Sequence, residues 1–389
     1  NRFVAERAVG SNILYQNILQ KFLEENDILG GNMKITDIKV QAVEVPLKEP
    51  FRISLGVITH AKSAIVTVET DEGVVGYGEG APGILITGEN LPGTVAGIEI
   101  MKSDLIGLDP RDLESIYWAM GKSQAHAPSA KAAVDIACYD ILGKSAGMPV
   151  YKLLGGLNNY IETDITVGID TPETMAAKAK DWVAKGFTTI KTKVGTNLED
   201  DVARVKAIRA AVGPQVKIRV DANQGWSAKD AVRIIEHLNE YDLELVEQPV
   251  PYYDIAGLEY VTKHTNVLIM SDESCFTSHD ALHLIERRAI DVLNIKLMKC
   301  GGIREALKIN AICEAAGVEC MLGCMVEETN VGVTAAASLG AAVKNITRAD
   351  LDATFSLSAL PFKGGMHVEN ANRITLAEEP GFGFKGLEK

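Results

Sequence analysis

Short apolar stretches alternate with amphipathic helices eight times after about residue 157. The predicted strands are residues 161–168, 188–194, 216–223, 243–249, 267–274, 291–298, 318–324 and 348–354. Consecutive strand ends lie 28, 26, 25 and 24 residues apart, as marked by the charged residues Lys193, Asp221, Glu247, Asp272 and Lys296. So many βα units at a near-constant period predict a parallel barrel. An open doubly wound sheet is the alternative, but no GxGxxG motif follows an early strand, which disfavours a dinucleotide-binding fold.

The rest of the chain is organised around this barrel, which we assign to residues 157–354. Residues 33–156 begin with two β-rich runs joined by "DEG", a hairpin signal, and continue with three helical stretches, so a small α+β domain is predicted. Residues 355–389 lack the βα rhythm and are expected to return to the N-terminal domain. Residues 1–32 show helical spacing in "NILYQNILQKFLEE", and we interpret them as an extension of uncertain role outside the fold.

The composition excludes several functional classes. The formal net charge of −13 argues against binding to nucleic acids or anionic membranes. No apolar run approaches the roughly 18 residues that a membrane span requires. The six cysteines form no CxxC pair and no short-spaced framework, which is typical of reduced thiols, so a cytoplasmic location is expected. Barrels of this kind often associate, and we expect a homo-oligomer.

Three consecutive predicted strands end in a carboxylate: Asp221, Glu247 and Asp272. The carboxyl ends of barrel strands carry the active site. A single carboxylate there often caps the next helix, but three flanked by apolar residues would repel one another and raise one another's pKa. A bound hard cation removes this repulsion, and oxygen ligands without histidine or cysteine favour Mg²⁺ over zinc. We therefore predict a Mg²⁺ site here.

The stretch "TTIKTKVG" places Lys191 and Lys193 on the same face of the second strand. Strand 2 lies opposite strand 6 in an eight-stranded barrel, so Lys193 and Lys296 are expected to face each other across the pocket. Such a pair can act as base and acid on opposite faces of a carbon atom, which inverts it, while a metal stabilises the developing negative charge. Crowding and burial are expected to leave one lysine of the "KTK" pair neutral near pH 7. The alternative is two surface lysines.

Two more carboxylates, Asp350 and Asp352, lie two residues apart on the eighth strand. Residues at this spacing share one face of a strand. Strand 8 faces strand 4 across the barrel, so the pair is expected on the wall opposite the metal. A substrate ammonium group would be favourable there.

These motifs resemble the enolase superfamily, muconate-lactonizing subgroup. The resemblance rests on "KTKVG", "RVDANQGW", "LVEQPV", "SDES" and "NIKLMKCGG", and it runs from about Met33 to the end. It implies a (β/α)7β TIM-type barrel with an N-terminal α+β capping domain and one essential Mg²⁺. Within the subgroup the chain is most similar to the dipeptide epimerases, including L-Ala-D/L-Glu epimerase, because of "DLD" at 350–352.

The resemblance also implies roles for individual residues. Lys193 and Lys296 would be the acid/base pair that inverts the α-carbon of the C-terminal residue of a dipeptide, through an enolate. The three strand-end carboxylates would be the Mg²⁺ ligands, the "DLD" carboxylates would bind the α-ammonium, and Lys191 would contact the substrate carboxylate. The remaining residues that line the pocket by this resemblance are Thr166, Asn223, Cys324 and Val326.

Two departures from the family pattern bear on specificity. Gly56 stands where Ala-Glu epimerases carry an arginine that pairs with the glutamate side chain, so a C-terminal residue other than glutamate, such as a hydrophobic one, is expected. The loop after strand 7, "CMVEETNVG", leaves open whether Glu327 or Glu328 fills the usual position. The alternative functions are o-succinylbenzoate synthase, N-acylamino-acid racemase or cycloisomerase of the same superfamily, or a catalytically silent scaffold protein.

Overall fold

The computed structural model describes residues 33–388, so the predicted extension over residues 1–32 lies outside the described residues. The N-terminal unit begins with an antiparallel sheet of order β1-β2-β3, and the turn at "DEG" joins β2 to β3. Its strands are β1 (Ile35–Ile53), β2 (Gly56–Thr70) and β3 (Val75–Gly80). The helices that follow are α1 (Leu91–Leu105), α2 (Leu113–Ser123), α3 (Pro128–Ser145) and α4 (Val150–Leu153).

The sheet of this unit lies unusually close to α3. Glycine recurs at alternate positions of β3, as Gly76, Gly78 and Gly80. A Cβ atom on Gly78 would lie 1.9 Å from the carbonyl oxygen of Ala133 in α3. The absence of side chains therefore lets the helix backbone rest directly on the strand. This contact fixes the sheet that carries the loops above the barrel.

Eight parallel strands, β5 to β12, form the barrel and follow one another in sequence order. After the short β4 (Tyr160–Glu162), the strands are β5 (Ile165–Val167), β6 (Thr189–Lys193), β7 (Lys217–Asp221), β8 (Leu243–Glu247), β9 (Leu268–Ser271), β10 (Val292–Lys296), β11 (Glu319–Gly323) and β12 (Ile346–Asp350). The intervening helices are α5 (Pro172–Ala184), α6 (Leu198–Val212), α7 (Ala228–Leu238), α8 (Ile255–His264), α9 (Ser278–Glu286), α10 (Leu297–Cys300), α11 (Ile303–Ala316) and α12 (Asn330–Ala342). The predicted (β/α)7β TIM-type fold with an N-terminal α+β unit is confirmed.

The barrel is closed between its first and last strands by irregular contacts. The N–H of Asp164 donates to the carbonyl of Ala349 at 3.2 Å, and the N–H of Leu351 donates to Thr163 Oγ1 at 2.7 Å. The predicted single strand over 161–168 is therefore wrong, since the chain leaves strand geometry at Thr163 and Asp164 between β4 and β5. Because of this break, the Asp164 carboxyl group lies at the seam of the barrel, the junction between its first and last strands.

The C-terminal segment contacts both units. It contains α13 (Ala353–Ser356), β13 (Phe362–Gly364), β14 (His367–Glu369), β15 (Arg373–Thr375) and β16 (Phe384–Leu387). The strand β15 pairs with β4, and the Phe362 ring meets Tyr77 of β3 edge to face at 5.1 Å. The N–H of Phe382 donates to the buried carboxylate of Asp140 in α3 at 2.9 Å.

Within residues 33–388, no helix has the length and hydropathy needed to cross a bilayer. All six cysteines lie in this range and are free thiols, and only Cys300 is not fully buried.

Candidate active site

A cavity of about 370 Å³ opens at the carboxyl ends of the barrel strands, beneath loops of the N-terminal unit. Nine of the predicted site residues line it: Gly56, Thr166, Lys193, Asn223, Lys296, Cys324, Val326, Asp350 and Asp352. The other four are buried and do not line it: Lys191, Asp221, Glu247 and Asp272. A larger cleft, of about 840 Å³, lies between α2 and α9 and contains none of these residues.

The lysines Lys193 and Lys296 end strands β6 and β10, which are opposite each other in an eight-stranded barrel. Each contacts one predicted metal ligand. The distance is 2.5 Å from Lys193 Nζ to Asp221 Oδ2 and 2.9 Å from Lys296 Nζ to Asp272 Oδ2. All five residues of β6 are buried, which excludes two surface lysines. The two ammonium groups thus reach one cavity from opposite walls.

Lys191 is shared by three carboxylates. Its Nζ lies 2.6 Å from Glu247 Oε2, 2.6 Å from Asp350 Oδ2 and 3.1 Å from Asp221 Oδ2. Burial disfavours the ammonium form, but these negative charges outweigh burial and raise the pKa of Lys191 well above its usual range. Lys191 is therefore the lysine of the "KTK" pair that stays charged, because other strands bring carboxylates to the same point.

The three predicted Mg²⁺ ligands lie at the ends of neighbouring strands. Asp221 pairs with Glu247 across β7 and β8, and Asp272 directly follows β9. All three are completely buried, and lysine side chains contact their oxygens: Glu247 Oε2 lies 2.6 Å from Lys191 Nζ, and the Asp272 oxygens lie 2.6 and 2.9 Å from Lys299 and Lys296. Burial, and next the charge of Asp221, raise the pKa of Glu247 to about 8. Buried carboxylates that repel one another in this way fit a hard divalent cation.

Asp272 contacts a second lysine, which the sequence analysis missed. Lys299 in α10 places Nζ 2.6 Å from Asp272 Oδ1 and 3.1 Å from the carbonyl oxygens of Cys275 and Asn294. Burial opposes the negative charge on Asp272, but Lys296 and Lys299 outweigh it and hold the pKa of Asp272 below its usual range. The signal was present in "NIKLMKCGG", whose second lysine follows the strand end by one helical turn.

The carboxylates of Asp350 and Asp352 meet a third one, from Asp164. One oxygen from each lies within 4.8 Å of the other two, and no other three acidic residues in the described chain meet this distance, the predicted Mg²⁺ ligands included. Asp352 Oδ2 accepts the N–H of Thr166 at 2.6 Å, and Asp350 is held by Lys191. Burial, and then the charge of Asp350, raise the pKa of Asp352 to about 6. The sequence analysis missed Asp164 because it placed this residue inside a strand.

Two other predicted pocket residues are Asn223, which hydrogen bonds hold in place, and Cys324, which is buried. Asn223 adopts a left-handed backbone conformation with φ of 40°, and its N–H donates to Asp221 Oδ1 at 2.9 Å. Its side chain donates to Glu273 Oε1 at 3.1 Å. Burial raises the pKa of the Cys324 thiol well above its usual range, so this residue lines the pocket as a neutral group.

The wall opposite the barrel is apolar and comes from two segments of the N-terminal unit. The hairpin at residues 51–58, which joins β1 to β2, and the loop at residues 83–86 contribute its side chains, and Ile84, Val57 and Leu85 remain 62%, 49% and 44% exposed. A Cβ atom on Gly56 would lie 3.1 Å from Leu85 Cδ1, so the absence of a side chain lets this leucine pack against the hairpin backbone. No basic residue of this unit lines the described cavity.

The loop after β11 contains the two glutamates left open by the sequence. Glu327 lines the cavity. Glu328 is completely buried, accepts the N–H of Met325 at 2.7 Å, and has no partner for Oε2. Burial raises the pKa of Glu328 well above its usual range, and the charge of Glu79 adds to this. The geometry therefore assigns Glu327 to the pocket.

The sequence matches two family descriptions that together span most of the chain. The "Mandelate racemase / muconate lactonizing enzyme, N-terminal domain" matches residues 35–155, and the "Enolase C-terminal domain-like" family matches residues 174–388. The chain therefore belongs to the mandelate racemase/muconate lactonizing enzyme family of the enolase superfamily.

More particular similarities lie within that family. The hydrophobic dipeptide epimerase of Enterococcus faecalis is 58% identical over 90% of this chain and 99% of its own length. The crystal structure of a dipeptide epimerase from Enterococcus faecalis V583, complexed with Mg and the dipeptide L-Leu-L-Tyr, has a TM-score of 0.89 at 57% identity and covers 90% of this chain and 99% of that one. The N-succinyl-L-Arg/Lys racemase of Bacillus cereus is 40% identical over 91% of this chain and 95% of its own length. The predicted resemblance to dipeptide epimerases is confirmed.

Proposed function

We propose that this protein is a Mg²⁺-dependent dipeptide epimerase, an isomerase that inverts the α-carbon of a hydrophobic C-terminal residue. One observation supports this most strongly. A single cavity contains two lysines on opposite walls, the carboxylate pair Asp350 and Asp352, and an apolar wall without a cation. The similarity to the hydrophobic dipeptide epimerase of Enterococcus faecalis supports the same conclusion.

The carboxylates of Asp221, Glu247 and Asp272 would hold the Mg²⁺ ion. The bound ion supplies positive charge for the substrate carboxylate, which lowers the cost of placing a further negative charge on the adjacent α-carbon. The burial of these three carboxylates at the ends of neighbouring strands supports this assignment. The Enterococcus relative was crystallised with Mg, which also supports it. Lys191 would add a second fixed positive charge close to the substrate carboxylate.

Proton transfer is proposed for Lys193 and Lys296. One lysine, in its neutral form, removes the α-proton from its side of the substrate, and the carbon becomes planar as an enolate forms. The ammonium group of the other lysine then donates a proton to the opposite face, and the configuration is inverted. The positions of these lysines at the ends of β6 and β10 support the opposed geometry. The same pair works in the reverse direction with its roles exchanged.

Substrate orientation is proposed to come from the two remaining walls. Asp350 and Asp352 would bind the α-ammonium of the N-terminal residue, since both carboxylates line the cavity. The backbone N–H of Thr166 holds the Asp352 carboxylate in place. The apolar loops would cover the hydrophobic side chains, because burial of such groups is favourable by about 25 cal/mol per Å².

Proton NMR in D₂O tests the function directly. The protein is incubated with Mg²⁺ and separate pools of L,L-dipeptides with hydrophobic, acidic or basic C-terminal residues, and the α-proton of that residue is followed. The expected result is exchange and appearance of the L,D diastereomer in the hydrophobic pool. Absence of exchange in every pool, with Mg²⁺ shown to be bound by calorimetry, would contradict the proposal.

The second candidate function is racemisation of an N-acylamino acid. The similarity to the N-succinyl-L-Arg/Lys racemase of Bacillus cereus favours it over o-succinylbenzoate synthase or a cycloisomerase. An N-acylated amino acid carries no α-ammonium group, so Asp352→Asn distinguishes the two. This change is expected to reduce epimerisation of dipeptides and to leave racemisation of N-succinyl amino acids nearly unchanged.

The location and assembly of the protein are further parts of the proposal. The six free thiols support a reducing compartment such as the cytoplasm. Homo-oligomer formation stays a prediction that sedimentation velocity of the full chain tests.

A further inference from the structure

A carboxylate outside the cavity bears on how the cavity selects its substrate. Asp164 lies at the barrel seam, between β4 and β5, and is only 1% exposed. One of its oxygens belongs to the 4.8 Å cluster with Asp350 and Asp352, which line the cavity. Three carboxylates at this separation, away from bulk water, create a strong negative potential.

The positive charges near this cluster do not neutralise it. Arg219 donates to Asp164 Oδ2 at 2.7 Å, but its Nε donates to Glu244 at 2.6 Å, so the guanidinium serves two carboxylates. Lys191 contacts Asp350 but also two predicted metal ligands. Asp164 Oδ1 is buried and accepts no hydrogen bond in the described structure. The three carboxylates of the cluster therefore share two cations, and each of these cations also contacts carboxylates outside the cluster.

We infer that Asp164 is a positioning residue for substrate selection, whose buried charge makes Asp350 and Asp352 bind a free ammonium in preference to a neutral group. This inference rests on the proposed function. Asp164 does not line the cavity, so it acts through the two carboxylates above it rather than by touching the substrate. The alternative is a purely structural role, in which Asp164 serves only as the ion-pair partner of Arg219, and the experiment separates the two.

The experiment compares two ligands that differ only in the ammonium group. The substrate is L-Leu-L-Tyr, and the competitor is 4-methylpentanoyl-L-tyrosine, which lacks the amino group of the leucine. KM and kcat for the dipeptide and the inhibition constant of the competitor are measured at saturating Mg²⁺. The ratio of the inhibition constant to KM reports selection for the ammonium. In Asp164→Asn this ratio is expected to fall by about tenfold or more, through KM, with kcat within about threefold of the unchanged protein.

The matched control is Glu244→Gln. It removes the other carboxylate partner of Arg219 but lies outside the cluster. The ratio is expected to stay unchanged in this variant. A normal ratio in Asp164→Asn, or an equal loss in Glu244→Gln, would overturn the inference. If Asp164→Asn fails to fold, the double variant Asp164→Asn with Arg219→Met removes both members of the ion pair and is measured in its place.

Failure of the proposed function has a separate signature. If the unchanged protein binds the des-amino competitor as tightly as the dipeptide, ammonium recognition itself is wrong. If it selects the ammonium and Asp352→Asn abolishes this selection while Asp164→Asn does not, the proposed function stands and only the role of Asp164 is refuted.

Discussion

Replacement of Lys299 by methionine is expected to lower the free energy of unfolding by about 3–5 kcal/mol, the usual cost of removing one partner from a buried ion pair. Lys299 is 1% exposed, and its Nζ contacts Asp272 Oδ1 at 2.6 Å and donates to three backbone carbonyls, those of Asp272, Cys275 and Asn294. Methionine has a similar length, so the change removes charge and donors and leaves little empty volume. Lys296 remains beside Asp272, so the loss is expected near the lower end of this range.

Urea unfolding followed by circular dichroism, in the presence of a chelator, measures this loss without a contribution from bound metal. The matched control is Lys308→Met. Lys308 has a side chain that is 43% exposed and lies 3.6 Å from Glu305, so this change is expected to cost less than about 0.5 kcal/mol. A loss below about 1 kcal/mol for Lys299→Met would refute the reasoning, since it would mean that the four contacts of Nζ do not stabilise the fold.

Three further predictions concern the site and its surroundings. Lys296→Met is expected to reduce epimerisation at least about 10²-fold while one diastereomer still exchanges its α-proton with D₂O, and loss of exchange from both diastereomers would contradict the two-base assignment. Gly56→Arg, in which the new side chain displaces Leu85, is expected to lower kcat/KM for L-Leu-L-Tyr at least about tenfold and to improve turnover of dipeptides that end in glutamate, with Gly56→Ala as the control. Glu328→Gln is expected to raise thermal stability at pH 8. The pKa of this buried glutamate is raised in the folded state, so the folded protein holds its proton to higher pH than the unfolded chain does, and the folded state loses stability as pH rises. The benefit of glutamine should therefore shrink toward pH 5, and a benefit independent of pH would exclude this cause.

The charged strand ends were predictable because a βα barrel repeats one register. Once the strands are recognised, Lys193, Asp221 and Lys296 must lie at the same end of the barrel, independently of the loop conformations. The pKa of Lys191 was not predictable in this way. It depends on Asp350 and Glu247, which lie more than 50 residues away in the chain and contact the lysine only after the barrel closes.

The structure at the seam of the barrel could not be predicted from the sequence, for a different reason. The stretch "IETDITVG" has the composition of one strand, and the break at Thr163 and Asp164 comes from side-chain hydrogen bonds across the seam. Asp164 was missed for that reason. The apolar wall was missed in detail because residues 83–86 form a loop whose place above the barrel depends on the packing of the two units against each other.

The hydrogen bond between the Thr166 amide and the Asp352 carboxylate also supplies a spectroscopic reporter. An amide whose nitrogen lies 2.6 Å from the carboxylate oxygen it donates to has a proton that resonates downfield of ordinary amides, and the chemical shift follows the electron density on that carboxylate. An ammonium bound to Asp352 would draw electron density away from this hydrogen bond and move the resonance upfield. In a chain with ¹⁵N-labelled threonine, this one peak would then report occupancy of the ammonium position for any candidate ligand, whether or not it is turned over.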